Sequence, residues 1–221
     1  MPQPRSRATR TAWPTLTRST RIHSVTSPSP GIAVIDDFLD PATLTRLVNH
    51  CQQLSLTAPS LPKKGEATRT NERFQLDDPD FAHELWTATR LDLACSRDPQ
   101  LATGKNGRTP TRLNSNIRVY TYNPGSFFGP HYDDDVFDAE TGETSEWTLL
   151  VYLTGREDGV VGGETAFYPR PSKKSNGPAV VPELRAGRAL LHRHGQFCAL
   201  HEGRVVEKGV KWVLRSDVMY K

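Results

Sequence analysis

Residues Asn116–Tyr122, with the sequence NIRVYTY, alternate between two kinds of side chain. The even-numbered positions hold Arg118, Tyr120 and Tyr122, whereas the odd-numbered ones are aliphatic or β-branched. A period of two places these sets on opposite faces of an extended chain, so it predicts a β-strand. Asn123-Pro-Gly125 follows as a turn, and further short strands are expected as far as the C-terminus.

The expected fold is mainly β, in the α+β sense, with a jelly roll of six to eight short strands over about residues 114–221. Two helices brace it from outside, within about residues 40–94. Each opens on an Asp-Pro pair, Asp40-Pro41 and Asp78-Pro79, which suits an N-cap followed by proline in the first turn. They are predicted to run to about Leu56 and Ala94. Residues 57–76 between them are polar and are predicted to form a loop.

The charge distribution separates a tail from a body. The chain has 221 residues with 28 basic and 25 acidic side chains, and its first 30 residues contain five arginines and no acid. The remaining 23 basic and 25 acidic residues give the body a charge of −2, so nucleic acid is not an expected partner. Residues 1–30 are predicted to be a disordered or presequence-like tail, and residues 31–221 a single domain.

The cysteines and the hydropathy bear on the compartment. Cys51, Cys95 and Cys198 are odd in number and far apart, which favours reduced, mostly buried thiols in an intracellular protein. No stretch approaches the length of a membrane span, so no membrane partner is expected. Cytoplasm or nucleus is the predicted location, and the Arg/Ser/Thr-rich N-terminus leaves mitochondrial targeting open. Oligomeric state is not predicted.

His131-Tyr-Asp133 is the first part of a candidate metal site. Residues two apart on a strand leave the same face, so both side chains could bind one ion. A third ligand is expected from His192, His194 or His201, and spacing alone does not decide among them. His201 precedes a strand, a turn and a returning strand that carries Lys211, and this context favours it. Two imidazoles and one carboxylate form a three-point facial site for a redox-active divalent metal, with the opposite face of the ion open.

The sequence resembles the iron(II)/2-oxoglutarate dioxygenases of the prolyl 4-hydroxylase type. The resemblance covers about residues 70–220 and rests on four blocks in the order of that family: YNPGSFFGPHYD at 122–133, TLLVYL at 148–153, GGETAF at 162–167, and HEG at 201–203 with GVKW at 209–212. It implies a double-stranded β-helix and hydroxylation of a protein side chain with release of succinate and CO2. The implied cofactors are Fe(II), 2-oxoglutarate and O2, with ascorbate as an optional reductant.

The resemblance also assigns roles by position. His131, Asp133 and His201 would be the iron ligands. Lys211 and Tyr122 would bind the distal carboxylate of 2-oxoglutarate, and Thr148 would be a further wall of that pocket. Arg215 shares a strand face with Lys211, so it would touch the co-substrate, touch the substrate or form a structural salt bridge. Asn71 and Arg73, within the polar loop, are candidates for a lid over the site.

Several alternatives stay open at this point. The same chemistry could act on a small molecule or on nucleic acid, and the near-neutral body disfavours the second. A catalytically silent binding module on this scaffold would have no need of the triad and Lys211 together. A zinc-holding cupin-like protein would leave Lys211 without a role.

Overall fold

The computed structural model describes residues 12–168 and 178–221. Within them it contains three α-helices and fourteen strands. The helices are α1 (Pro41–Cys51), α2 (Pro79–Ala88) and α3 (Leu91–Arg97). The strands, β1 to β14 in chain order, are Thr26–Ser29, Ile32–Ile35, Glu72–Asp77, Pro110–Leu113, Asn116–Tyr122, Phe128–His131, Phe137–Asp138, Glu143–Tyr152, Val161–Gly162, Thr165–Tyr168, Ala189–Arg193, Leu200–Gly203, Val206–Lys208 and Lys211–Tyr220.

The strands form a large sheet that faces smaller ones. The large sheet has the order β1-β2-β11-β8-β14-β5-β3, with β4 paired to β14 and β7 to β8. Strands β10, β12 and β6 form a second sheet, and β13 pairs with β9. Phe167 and Val206 of the smaller sheets pack with Val34, Tyr152 and Val213 of the large one. This mainly β, jelly-roll arrangement confirms the predicted fold class.

The helices cover the outer face of the large sheet, as predicted. Leu47, Phe81 and Leu91 pack with Leu149 and Leu191 in one apolar core. The Asp40 carboxylate accepts hydrogen bonds from the main-chain N–H groups of Ala42 and Thr43, both at 3.0 Å, and Asp78 accepts one from Phe81. The two Asp-Pro pairs therefore do cap helices.

The prediction of one helix from Asp78 to about Ala94 is wrong, because the structure has two helices in this segment, α2 and α3. Arg90 adopts φ 63° and ψ 26°, which ends α2 and redirects the chain into α3. The first helix is also shorter than predicted and ends at Cys51 rather than near Leu56.

The segment predicted as a polar loop, 57–76, contains most of strand β3 at the edge of the large sheet. Its sequence ERFQLD pairs antiparallel with β5 from Glu72↔Thr121 to Asp77↔Asn116. Phe74 and Leu76 alternate with polar residues, and Phe74 packs against the apolar core under the helices. The strand was missed because this short alternation lies within an otherwise polar segment.

Order begins earlier than the predicted boundary at Gly31. Trp13 stacks on Phe81 with ring centroids 4.2 Å apart, and Leu16 is buried in the helix-side core. Strand β1 lies at 26–29, inside the predicted tail. Residues 1–11 lie outside the described part of the chain, and a targeting role for residues 1–30 stays a prediction.

No helix in the described residues is long and apolar enough to cross a membrane. The three cysteines are buried thiols, in agreement with the sequence.

Candidate active site

The candidate metal site lies where β6 meets β12. The two strands pair antiparallel with His131 opposite His201, which sets their ring centroids 4.3 Å apart. β6 ends at His131, so Asp133 lies just beyond the strand. Its carboxylate still reaches both rings: Oδ1 is 3.6 Å from His131 Nε2, and Oδ2 is 3.8 Å from His201 Nε2. The predicted ligands therefore come together, as ligand atoms within 4.8 Å of one another.

Main-chain carbonyls fix how the two imidazoles point. His131 Nδ1 is 2.8 Å from the carbonyl oxygen of Gly129, and His201 Nδ1 is 3.0 Å from that of Ala199. A carbonyl oxygen only accepts, so in both rings Nδ1 carries the proton and Nε2 presents a lone pair. Metal-binding histidines are commonly oriented in this way. Two nitrogen donors and one carboxylate suit iron(II).

The protonation states agree with metal binding. Burial and the neighbouring His201 lower the pKa of His131 to about 4, and burial lowers the pKa of His201. Burial alone would raise the pKa of Asp133, but the Arg215 guanidinium opposes it and holds that pKa well below its usual range. At neutral pH the site therefore holds neutral imidazoles and an ionised carboxylate.

Arg215 and Thr148 both bind the carboxylate of Asp133. Arg215 Nη1 donates to Oδ1 at 3.2 Å and Nη2 lies 3.1 Å from Oδ2, a two-point contact. The Thr148 hydroxyl donates to Oδ2 at 2.9 Å and lies 2.9 Å from His194 Nδ1. Thr148 was predicted to line the co-substrate pocket. The structure instead places its hydroxyl in contact with the Asp133 carboxylate. Of the open roles for Arg215, the structure shows the salt bridge.

Lys211 and Tyr122 lie on neighbouring strands of the large sheet. Both face the space between the large sheet and the smaller sheets, which is the interior of the barrel that the sheets form. β14 pairs with β5 so that Lys211 is opposite Tyr122, and Lys211 Nζ lies 4.7 Å from the centre of the Tyr122 ring. The same Nζ donates to the Gly163 carbonyl oxygen at 2.6 Å. Lys211 is only 2% exposed, and burial lowers its pKa to about 7. An anion beside it would restore its charge.

Two spaces meet at the ligand set. An inner cavity of about 40 Å³ is lined by Tyr122, Lys211 and Thr165, and an outer cleft of about 760 Å³ is lined by several residues between Ser60 and Arg73 and by residues 130–134. His131, Asp133 and Arg215 line both spaces. The ion-binding groups therefore lie between a small interior site and an open one.

Of the two residues considered for a lid, Arg73 lines the outer cleft, whereas Asn71 is 1% exposed and does not. Arg69 of the same segment lies over the Phe128 ring, 5.6 Å from its centre.

Sequence reasoning set His192 aside, yet the structure brings it to the site. His192 Nε2 is 3.6 Å from Asp133 Oδ2. β11 pairs with β8 so that His192 is opposite Thr148, and this register, which the sequence does not reveal, brings His192 to the site. His194, the other rival, contacts Thr148 rather than the carboxylate.

Comparison with known proteins agrees with this geometry. Residues 117–216, which contain both histidines and Asp133, match the sequence profile of the 2OG-Fe(II) oxygenase superfamily. No curated protein matched the sequence.

Solved structures share the fold at low sequence identity. A viral collagen prolyl hydroxylase from Paramecium bursaria Chlorella virus-1, in complex with 2OG, is 20% identical with a TM-score of 0.56, over 86% of this chain and 96% of that one. A Pseudomonas putida prolyl-4-hydroxylase is 16% identical with a TM-score of 0.59, over 86% of this chain and 92% of that one. A Trichoplax adhaerens prolyl hydroxylase, in complex with a hypoxia-inducible factor peptide fragment, is 17% identical with a TM-score of 0.59, over 86% of this chain and 84% of that one. By its profile match over residues 117–216, its fold and its ligand set, the chain is a 2-oxoglutarate-dependent dioxygenase.

Proposed function

We propose that this dioxygenase hydroxylates a C–H bond of a protein side chain and releases succinate and CO2. The observation that carries the proposal is the pair of spaces that share His131, Asp133 and Arg215. The interior one is lined by groups that suit a carboxylate of the co-substrate, and the open one suits a segment of a larger molecule. One oxygen atom of O2 enters the substrate C–H bond and the other enters succinate, so the reaction balances.

The interior space has the chemistry that a dicarboxylate needs. Lys211 supplies a cation and Tyr122 a phenol, and both are buried. A buried carboxylate is stable only with a paired charge or hydrogen-bond donors. Leu150 and Val213 add apolar side chains to the lining of the same space. Iron(II) and 2-oxoglutarate supply the oxidising chemistry when bound, and the chain positions them.

His131 and Asp133 are held in place by contacts on the far side of each group. Phe128 stacks on the His131 ring at 3.7 Å between centroids and 13° between planes. Arg215 and Thr148 bind the Asp133 carboxylate. We propose that Arg215 and Thr148 act as positioning residues for this ligand, rather than as contacts of 2-oxoglutarate.

The outer cleft favours a peptide segment. Its lining includes the basic residues Lys63, Arg69 and Arg73 together with Tyr132 and Asp134. The prolyl hydroxylase of Trichoplax adhaerens, which shares the fold, was solved with a peptide bound. A volume of about 760 Å³ also lies in the range of small-molecule sites, so a small-molecule substrate is the second candidate.

The test is to incubate the protein with iron(II), 2-oxoglutarate and O2 and a diverse peptide library. Peptides that gain one oxygen atom are then identified by mass spectrometry, and succinate is quantified. We expect succinate and hydroxylated peptide in a one-to-one ratio, and neither product with His201→Ala. Succinate coupled to a small molecule while no peptide gains oxygen would overturn the peptide proposal.

Two arginine variants locate the peptide-binding surface. Arg73→Ala should raise KM for the peptide without changing KM for 2-oxoglutarate, because Arg73 lines only the outer cleft. Arg97→Ala, an exposed arginine of α3, is the matched control and should change neither constant.

A further inference from the structure

The outer cleft has an excess of basic side chains, although the body of the protein does not. Its lining contains five basic and three acidic residues: Lys63, Arg69, Arg73, Arg118 and Arg215 against Glu66, Asp133 and Asp134. Residues 31–221 as a whole carry a charge of −2. A cleft lined by an excess of one sign of charge attracts molecules of the opposite sign. The local excess therefore indicates that the outer cleft binds an anionic group.

Three of these cations come from one face of three neighbouring strands. Arg215 on β14 lies opposite Arg118 on β5, and Arg73 on β3 lies opposite Tyr120, two residues further along β5. Residues two apart on a strand leave the same face, so the three guanidinium groups share one side of the large sheet. Like charges in such close register destabilise a sheet unless anions offset them.

Two carboxylates offset two of the three charges. Asp133 binds Arg215, and the carboxylate of Asp217 lies 3.4 Å from Arg118 and 3.5 Å from Arg215. Within the described residues, the Arg73 guanidinium forms no ion pair and no hydrogen bond. The charge of Arg73 is therefore the one in this group that a ligand would neutralise.

Main-chain contacts on both sides fix the position of Arg73. Arg73 pairs with Tyr120 on one side, and on the other its N–H and carbonyl groups bond to Thr57 at 2.9 and 2.7 Å. Tyr120 lines both the outer cleft and the inner cavity. Arg73 is therefore one strand, or about 5 Å of main-chain spacing, from a residue beside the metal site. A guanidinium held there can donate two parallel hydrogen bonds to one carboxylate.

We propose that the outer cleft selects peptides with an acidic side chain near the hydroxylated residue, and that Arg73 binds the carboxylate of that side chain. The inference rests on the proposed function, in which the substrate is a peptide. Lys63 and Arg69 line the same cleft and add a longer-range attraction for an acidic peptide. The acidic side chain takes no part in the oxidation and leaves the enzyme unchanged.

A nucleic acid is the other kind of polyanion that basic residues attract. Nucleic-acid sites follow several phosphates along an extended basic surface, and sites for single strands also stack bases on aromatic side chains. In the described lining of the cleft, Tyr132 is the one exposed aromatic residue, and the exposed Asp134 lies two positions further on. One free guanidinium in a cleft that also contains acids favours a single carboxylate on a peptide.

The experiment starts from the library peptides that gain one oxygen atom, whose sequences are read by mass spectrometry. We expect Asp or Glu at a fixed distance from the modified residue. One such peptide is then made with Asn or Gln in place of the acid, which should raise KM by about 10- to 100-fold, the range expected for a charge-assisted hydrogen bond. Sodium chloride at about 0.5 M should raise KM for the acidic peptide but not for its amide form.

An exchange of charges tests Arg73 itself. Arg73→Glu should lose the preference for the acidic peptide and instead favour the same peptide with Lys in the acidic position. Arg97→Glu changes the net charge by the same amount on an exposed part of α3, and it should keep the preference of the wild type. If Arg73→Glu does not fold, as judged by its thermal transition, Arg73→Gln replaces it and should show no preference between the acid and the amide.

The outcomes separate this inference from the proposed function. Hydroxylated peptides without a preferred acidic position would overturn the inference and leave the proposed function intact. A preference that persists in the Arg73 variants would overturn the assignment to Arg73. Tighter binding of a single-stranded oligonucleotide than of the acidic peptide would overturn the choice of partner. Oxygen gained by a small molecule and by no peptide would overturn the proposed function as well.

Discussion

Strands β8, β11 and β14 have two faces that differ in chemistry, although they belong to the same three segments. On the helix side, Leu149, Leu191 and Leu214 are fully buried in an apolar core. On the barrel side, one residue along each strand, Thr148, His192 and Arg215 gather around Asp133. The first face stabilises the fold, whereas the second holds buried polar groups whose partners are charges and ions. Mutations on the two faces should therefore separate stability from function.

The largest effect is expected at Lys211. Lys211→Met removes the cation that we propose pairs with 2-oxoglutarate, and losing one partner of a buried pair costs about 3–5 kcal/mol. KM for 2-oxoglutarate should rise by about 100-fold or more. The ligand-free protein should become more stable near pH 7, because burial disfavours the ammonium group. Thermal unfolding and succinate kinetics check both results, and Lys208→Met on the surface should change neither.

The opposite pattern is expected from the helix-side face. Leu149→Ala leaves a cavity in the apolar core and should lower the free energy of unfolding by about 2–5 kcal/mol. Since Leu149 points away from the barrel, cobalt affinity and KM for 2-oxoglutarate should not change while the protein is folded. Urea unfolding measures the first quantity and chelator competition the second. A large loss of metal affinity in the folded variant would contradict the separation of the two faces.

A smaller effect is expected at Arg215. Arg215→Met removes the two-point contact to Asp133, and partners of metal ligands typically change metal affinity by about 10- to 100-fold. KM for 2-oxoglutarate, measured at saturating iron(II), should stay near the wild-type value. Arg215→Lys should recover only part of the affinity, because an ammonium lacks the planar fork of a guanidinium. A rise in KM alone would return Arg215 to the co-substrate role.

The smallest effect concerns pH. The pKa of Lys211 is about 7 in the ligand-free protein, and the bound carboxylate raises it, so binding takes up a proton above pH 7. Affinity for 2-oxoglutarate should fall by up to about tenfold per pH unit above 7. Calorimetry at pH 8 in buffers of different ionisation enthalpy should show uptake of close to one proton. No proton uptake would show that Lys211 is already charged.

How far the sequence predicts this molecule depends on what kind of contact fixes each feature. Asp40 and Asp78 predicted helix starts correctly, because a cap is formed by residues two or three apart. The break at Arg90 carries no local signal, because no glycine or proline marks it. Strand β3 was missed because its short alternation, with Phe74 and Leu76 on one face, lies in an otherwise polar segment.

The site shows the same division. The spacing of His131 and Asp133 and the position of Lys211 indicated the chemistry, because these residues are local in sequence or lie on strands of clear period. The role of Thr148 was misplaced and His192 was set aside. Their contacts depend on the register between β8 and β11, which no local pattern reveals.

The most direct test of the account is the absorption spectrum of the protein with iron(II) and 2-oxoglutarate under anaerobic conditions, followed by admission of air and measurement of succinate. In the wild type we expect a visible charge-transfer band that decays as succinate forms. In His201→Ala we expect neither the band nor succinate. A wild-type protein that is folded and binds iron(II), yet gives no band and no succinate, would contradict it.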